Sequence, residues 1–124
     1  MKSILILDDD PASLTLVEGV LEAEGYEART ASTPMQALEI LKRWTPDAIL
    51  LDIQLHGLDN GLEFARRLKG NIATRSTPII AFTAYGERWT EAETREAGCD
   101  GYLEKPITVQ MLADAVRKAL EKTG

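Results

Sequence analysis

Three carboxylates, a hydroxyl and an ammonium each stand at the end of a short apolar run. Asp8 and Asp9 follow Ser3–Leu7, Asp52 follows Asp47–Leu51, Thr83 follows Ile79–Phe82, and Lys105 comes two residues after Gly101–Leu103. Carboxylates gathered in one place repel one another and need a counter-charge. A set of hard oxygen ligands with room for water suits Mg²⁺ or Mn²⁺. A nearby lysine adds a second positive charge and a donor to an anion. Divalent metal, ammonium, hydroxyl and carboxylate together match phosphoryl transfer, where neutralising the charge on the transferred group is most of the work. A carboxylate can itself be the covalent acceptor. Asp52 is the candidate, because it ends its apolar run alone while Asp8 and Asp9 form a pair elsewhere in the chain.

Composition narrows the alternatives. His56 is the only histidine and Cys99 the only cysteine, which excludes a multi-histidine metal site, a disulfide framework and a thiolate cluster. The formal charge is −6, which argues against nucleic-acid and anionic-lipid partners, since both call for basic patches. The runs Ile4–Leu7 and Ala48–Leu51 are far too short to span a bilayer. The amino-terminal sequence does not have the pattern of a signal peptide, so the chain reads as cytoplasmic. Its 124 residues suit one domain, taken as 1–124.

The elements that must position these residues alternate between strand and helix five times. Ser3–Leu7 and the Ala-Ile-Leu-Leu run before Asp52 are apolar throughout, as expected of central strands buried on both faces. Tyr26–Thr30 is more polar and suits a sheet edge. Asp10-Pro11 and Thr33-Pro34 each place a capping side chain before a proline and so open helices. Gly25 and Gly98 close helices. Leu62, Ala65 and Leu68 give the helix after Gly61 an inward face. Arg88–Ala97 is a weak, mostly charged helix. The last helix, from about Thr108 to Glu121, carries the pairs Met111/Leu112, Ala115/Val116 and Ala119/Leu120 at four-residue spacing.

Such alternation predicts a doubly wound α/β domain, a (βα)5 flavodoxin-like fold whose five parallel strands run in the order 2-1-3-4-5. Ligands in open sheets of this kind bind beyond the carboxyl ends of the strands. All the candidate residues fall at those ends. Plainer roles suit several others: Asp10 as a helix cap, Cys99 as a packed small residue, Trp44 in local packing, His56 as a solvated loop residue, and Trp89 at a core edge or on a partner face.

The motifs Ile-Leu-Asp8-Asp9-Asp10-Pro11, Ala-Ile-Leu-Leu-Asp52-Ile-Gln-Leu, Pro-Ile-Ile-Ala-Phe-Thr83-Ala84 and Ala-Gly-Cys-Asp-Gly-Tyr102-Leu-Glu-Lys105-Pro106 stand in the order of a known family. From Ile4 to about Leu120 the chain resembles the response-regulator receiver domains of two-component signal transduction, of the chemotaxis-protein CheY type. The resemblance implies that Asp52 is the phosphoacceptor. It implies that Asp9, Asp52 and the backbone carbonyl of Gln54 bind Mg²⁺, and that Asp8 holds a metal-bound water. Lys105 would pair with the phosphoryl group, Thr83 would accept it as the switch hydroxyl, and Tyr102 would be the switch aromatic. The family has a cis bond at the position of Lys105–Pro106, and a small residue like Ala84 leaves phosphodonors access. Two departures fall after Asp52: His56 replaces the usual proline, and the stretch Leu58-Asp59-Asn60-Gly61 is one residue longer than the common pattern.

The implied partners are a histidine kinase or histidine phosphotransfer protein upstream, and a protein target or a C-terminal output domain downstream. Such a chain is a signalling domain that catalyses only its own phosphorylation and dephosphorylation. The competing readings are a pseudo-receiver that binds partners without phosphorylation, a flavodoxin-like electron carrier and an aspartyl phosphatase. Three aspartates after the first strand would repel an FMN phosphate, and the phosphatase nucleophile normally follows the first strand.

Overall fold

A strand that is apolar at every position has no face to give to water, so it must lie between two layers. Ser3–Leu7 (β1) and Ala48–Asp52 (β3) are buried at all of their positions, and they pair in parallel in the middle of the sheet, Leu7 opposite Leu51. The computed structural model describes residues 1–53, 61–84 and 91–123. Glu27–Ala31 (β2) flanks β1, and Ile79–Ala84 (β4) and Gly101–Lys105 (β5) continue the sheet beyond β3. All pairings are parallel, and the order is β2-β1-β3-β4-β5, as the strand–helix alternation predicts. The polar β2 is an edge strand with alternating exposure, again as expected.

Successive residues of each strand point to opposite faces, and this divides the core in two. Leu5, Leu7, Ile49, Leu51, Ile79 and Ala81 pack on one side with Pro34–Leu41 (α2) and Gly61–Lys69 (α3). Ile4, Ile6, Leu50, Ile80 and Phe82 pack on the other with Pro11–Ala23 (α1) and Val109–Thr123 (α5). The caps are those the sequence signals. Asp10 accepts a hydrogen bond from the Ala12 amide, Thr33 accepts one from Gln36, and a proline opens each helix. Gly25 and Gly98 take positive φ where α1 and the short Glu91–Glu96 helix (α4) stop. Among the described residues no helix is long and apolar enough to cross a membrane.

Several boundaries differ from the sequence reading. β4 and β5 run further than the apolar pattern suggests, because their ladder continues through Thr83 opposite Glu104 and Ala84 opposite Lys105. Backbone pairing, not side-chain hydrophobicity, decides where they end. Asp52 likewise ends β3 within the ladder, opposite Phe82. α2 stops at Leu41, two residues short of the Arg43 end that the break at Thr45-Pro46 suggests in the sequence, with the amides of Lys42 and Arg43 bonded to the preceding turn. On α5 the stripe holds except at Met111, which is exposed while Leu112, Val116, Ala119 and Leu120 are buried. Trp44 packs beside the α2–α3 face of the core, with the Arg29 guanidinium 4.3 Å from its ring centroid.

At the amino-terminal end of the sheet, Lys69 closes the structure. Its Nζ donates to the Thr77 carbonyl at 2.9 Å, to the Arg75 carbonyl at 3.3 Å and to Asp100 Oδ2 at 3.2 Å. Asp100 Oδ2 also accepts from the Ile79 amide at 2.9 Å. A Cβ at Gly98 would lie 2.5 Å from Lys69 Cγ, so the lysine stem passes directly beneath that glycine. One side chain thereby ties the end of α3 to the starts of β4 and β5.

Cys99 is buried beside this network at 5% exposure. Desolvation, reinforced by the Asp100 carboxylate and partly opposed by Lys69, pushes its thiol from 9.0 up to about 11. The unfolded thiol ionises first, so this contribution to stability is complete below pH 9 and is lost as pH rises to about 11. The native chain is expected to lose about 2 kcal/mol more stability between those limits than Cys99→Ala does. Urea unfolding of both proteins at pH 8.5 and near 11 measures the difference, and parallel declines would contradict it.

Candidate functional site

The site is built by register. Leu7 pairs with Leu51, so the next residues of the two strands, Asp8 and Asp52, emerge side by side at the carboxyl end of the sheet. The Asp8 amide donates to the Ala31 carbonyl at 3.1 Å, which carries β1–β2 pairing up to the site. The Ile53 amide donates to Phe82 at 3.1 Å and does the same between β3 and β4. Asp8 is fully buried and Asp52 is 5% exposed, while Asp9 is half-buried. One carboxylate oxygen from each of the three lies within 4.8 Å of the others.

Local structure fixes Asp8 further. Its Oδ1 accepts the Asp10 amide at 3.0 Å in the turn that leads into α1, and its Oδ2 is buried as well. Two unit charges at such a distance repel by about 3 kcal/mol at an effective dielectric constant near 20. The donor set is all carboxylate oxygen, with no imidazole or thiolate among the three residues. Those donors fit a hard divalent cation such as Mg²⁺ or Mn²⁺ and do not suit a softer metal. Asp9, partly open to solvent, leaves a side from which a cation with bound water could enter.

The remaining candidates are placed by backbone. Thr83 is one residue beyond Phe82, the register partner of Asp52, and Lys105 ends β5 opposite Ala84. The carboxyl ends of β1, β3, β4 and β5 thus carry Asp8, Asp52, Thr83 and Lys105 in adjacent positions. Tyr102 pairs with Ala81. Its ring is half-buried against the α2–α3 face of the core, and its hydroxyl donates to Glu104 Oε1 at 3.1 Å. Gln54, His56 and Trp89 lie outside the described residues.

The close approach of Gly61 to the Asp52 backbone is not legible in the sequence. Gly61 bounds the loop after Asp52 in sequence, but in the fold it opens α3 against the strand that carries Asp52. Its amide donates to the Ile53 carbonyl at 2.9 Å. A Cβ there would lie 2.7 Å from the Asp52 carbonyl oxygen and 3.0 Å from the Ile53 carbonyl carbon. Only a residue without a Cβ allows that approach. The signal in the sequence was a glycine ahead of an amphipathic run, which reads equally as a loop end.

Comparison with known proteins bears on this arrangement. The family model for the response regulator receiver domain matches residues 4–117. The polar-differentiation response regulator DivK of Brucella ovis is 34% identical over 119 residues, covering 96% of each chain. A CheY-like response regulator receiver domain protein from Methanospirillum hungatei superposes with a TM-score of 0.89 at 28% identity, over 99% of this chain and 96% of that one. NtrX from Brucella abortus superposes with a TM-score of 0.91 at 30% identity, over 99% of this chain but only 28% of its own length. The chain belongs to the response-regulator receiver domains of two-component systems. Magnesium and phosphoaspartate are typical of that family.

Two outcomes follow from the geometry. Gly61→Ala forces a methyl group against the Asp52 and Ile53 backbone and is expected to cost about 1–3 kcal/mol of stability. Urea unfolding measures it, and a cost near zero would show that α3 can shift freely. Asp52→Asn removes one of three crowded charges, so in EDTA it is expected to melt several degrees above the native chain. An equal or lower melting temperature would mean that the carboxylates are not in mutual strain.

Proposed function

We propose that this chain, taken as one receiver domain over 1–124, accepts a phosphoryl group from a phosphohistidine onto Asp52 in a Mg²⁺-dependent reaction. The observation that carries the reading is the approach of Asp8, Asp9 and Asp52 to within 4.8 Å at the carboxyl end of the sheet of a receiver domain. Asp9, Asp52 and the Gln54 carbonyl would hold the cation, with Asp8 holding one of its waters. When bound, the cation neutralises charge on the transferred group.

Asp52 supplies the nucleophile. One of its carboxylate oxygens forms the new O–P bond as the N–P bond to the donor histidine breaks, and the imidazole leaves with the electron pair. Burial keeps Asp52 in place and limits the directions from which a donor can approach. Lys105 pairs with the phosphoryl oxygens, and Ala84 leaves the donor room. In dephosphorylation, water attacks phosphorus in line and the Asp52 carboxylate departs, releasing inorganic phosphate. The Thr83 hydroxyl donates a hydrogen bond to a phosphoryl oxygen, and Tyr102 follows Thr83 inward. The equilibrium between two surfaces of α4, β5 and α5 shifts accordingly.

The chain is then a cytoplasmic signalling protein whose only catalysis is on itself. Its donor is a histidine kinase or a histidine phosphotransfer protein. Its output passes to a protein target or to a C-terminal domain.

Incubation with radiolabelled acetyl phosphate is expected to label the native chain only when Mg²⁺ is present. Asp52→Asn should take no label, and Mg²⁺ at a hundredfold over its dissociation constant should stabilise the native fold by about 2.7 kcal/mol. Label that persists in Asp52→Asn would overturn the assignment of the acceptor. No label on the native chain would leave a binding module that works without phosphorylation.

A further inference from the structure

β5 is an edge strand, and its residues at i and i+2 share a face. On that face the Tyr102 hydroxyl donates to Glu104 Oε1 at 3.1 Å. The two ends of the tyrosine are in different surroundings. Its ring packs against the buried cluster that includes Leu5, Leu51, Ala81 and Ala97, whereas its hydroxyl meets an exposed carboxylate. The hydrogen bond is charge-assisted, which makes it stronger than one between neutral groups. Glu104 is also the register partner of Thr83, and Tyr102 that of Ala81, two residues earlier on β4. One residue therefore touches the aromatic side chain by hydrogen bond and lies opposite the threonine by backbone pairing.

We propose that Glu104 is a positioning residue for Tyr102: it holds the phenol hydroxyl at the surface and so restrains the unphosphorylated domain in its resting conformation. The proposal rests on the reading of Tyr102 and Thr83 as switch residues. If the ring must leave its present position when the domain is phosphorylated, the bond to Glu104 has to break first. That bond favours one conformer only, and a contact made in one conformer shifts the equilibrium by its own free energy. Without it, the phosphorylation-competent conformer is populated more and the chain is phosphorylated faster. Glu104 is exposed, so its removal leaves the core intact.

The test labels the full chain with 3-fluorotyrosine and follows fluorine NMR. The chain has three tyrosines, Tyr26, Tyr85 and Tyr102, and Tyr102→Phe assigns the signal of interest. Glu104→Ala is expected to move the Tyr102 resonance and to raise the initial rate of labelling by acetyl phosphate with Mg²⁺ roughly 2- to 10-fold, the effect of losing one exposed hydrogen bond. Glu104→Gln keeps an acceptor oxygen and is expected to hold the resonance near its native place. A Tyr102 resonance in Glu104→Ala that coincides with the native one overturns the proposal, as does a moved resonance with an unchanged labelling rate. A separate arm phosphorylates the native chain with acetyl phosphate. If Asp52 is labelled and the Tyr102 resonance stays in place, the switch reading of Tyr102 fails, whatever the Glu104 variants do.

Discussion

The structure depends on holding like charges together. Asp8, Asp9 and Asp52 would separate if the backbone allowed it, since each pair repels through partly buried surroundings. They cannot, because Asp8 and Asp52 are the continuation of two strands locked in register at Leu7 and Leu51. That register is in turn fixed by side chains on both faces of β1 and β3, all buried. A slip of one residue would exchange the two faces and put every core side chain on the wrong side. Packing of the central strands thus does the work of gathering the carboxylates. The net charge of −6 belongs partly to this one spot, since the three aspartates alone contribute −3.

The opposite end of the sheet is secured by the reverse arrangement. There Lys69 places one positive charge among the Arg75 and Thr77 carbonyls and the Asp100 carboxylate. Asp100 shares its oxygen with the Ile79 amide, so the starts of β4 and β5 are joined through it. The amino-terminal end anchors β4 and β5, and the carboxyl end presents Thr83, Glu104 and Lys105 on the same two strands.

Glycine marks the closest approaches. At Gly61 the first turn of α3 meets the Asp52 backbone with no room for a methyl group, and at Gly98 the end of α4 lies over the Lys69 stem. Both positions bring a helix end against an element that carries a charged side chain, Asp52 on β3 and Lys69 on α3. The site residue and the anchoring lysine are therefore each backed by backbone, which moves less readily than a side chain.

Much of this was legible in the sequence by itself. Uninterrupted apolar runs marked the central strands, the polar Tyr26–Thr30 region the edge strand that the fold places one residue later at Glu27–Ala31, and Asp10-Pro11 and Thr33-Pro34 the helix starts, because these signals act over a few residues and need no distant partner. Alternation of strand and helix was enough for a parallel sheet, the polar second strand beside apolar first and third strands suited the common order 2-1-3-4-5, and the strand ends pointed to Asp8, Asp9 and Asp52. What only the tertiary structure decided depends on contacts between distant segments. The strands β4 and β5 extend through Thr83 and Lys105 because each supplies the other's hydrogen-bond partners. Met111 is exposed because neighbouring positions on α5 complete the core without it. Gly61 is required by the Asp52 carbonyl, and Lys69 finds Asp100 thirty-one residues away. Local patterning specifies which residues can form an element, whereas the distances that turn separate carboxylates into one site are set by how those elements pack.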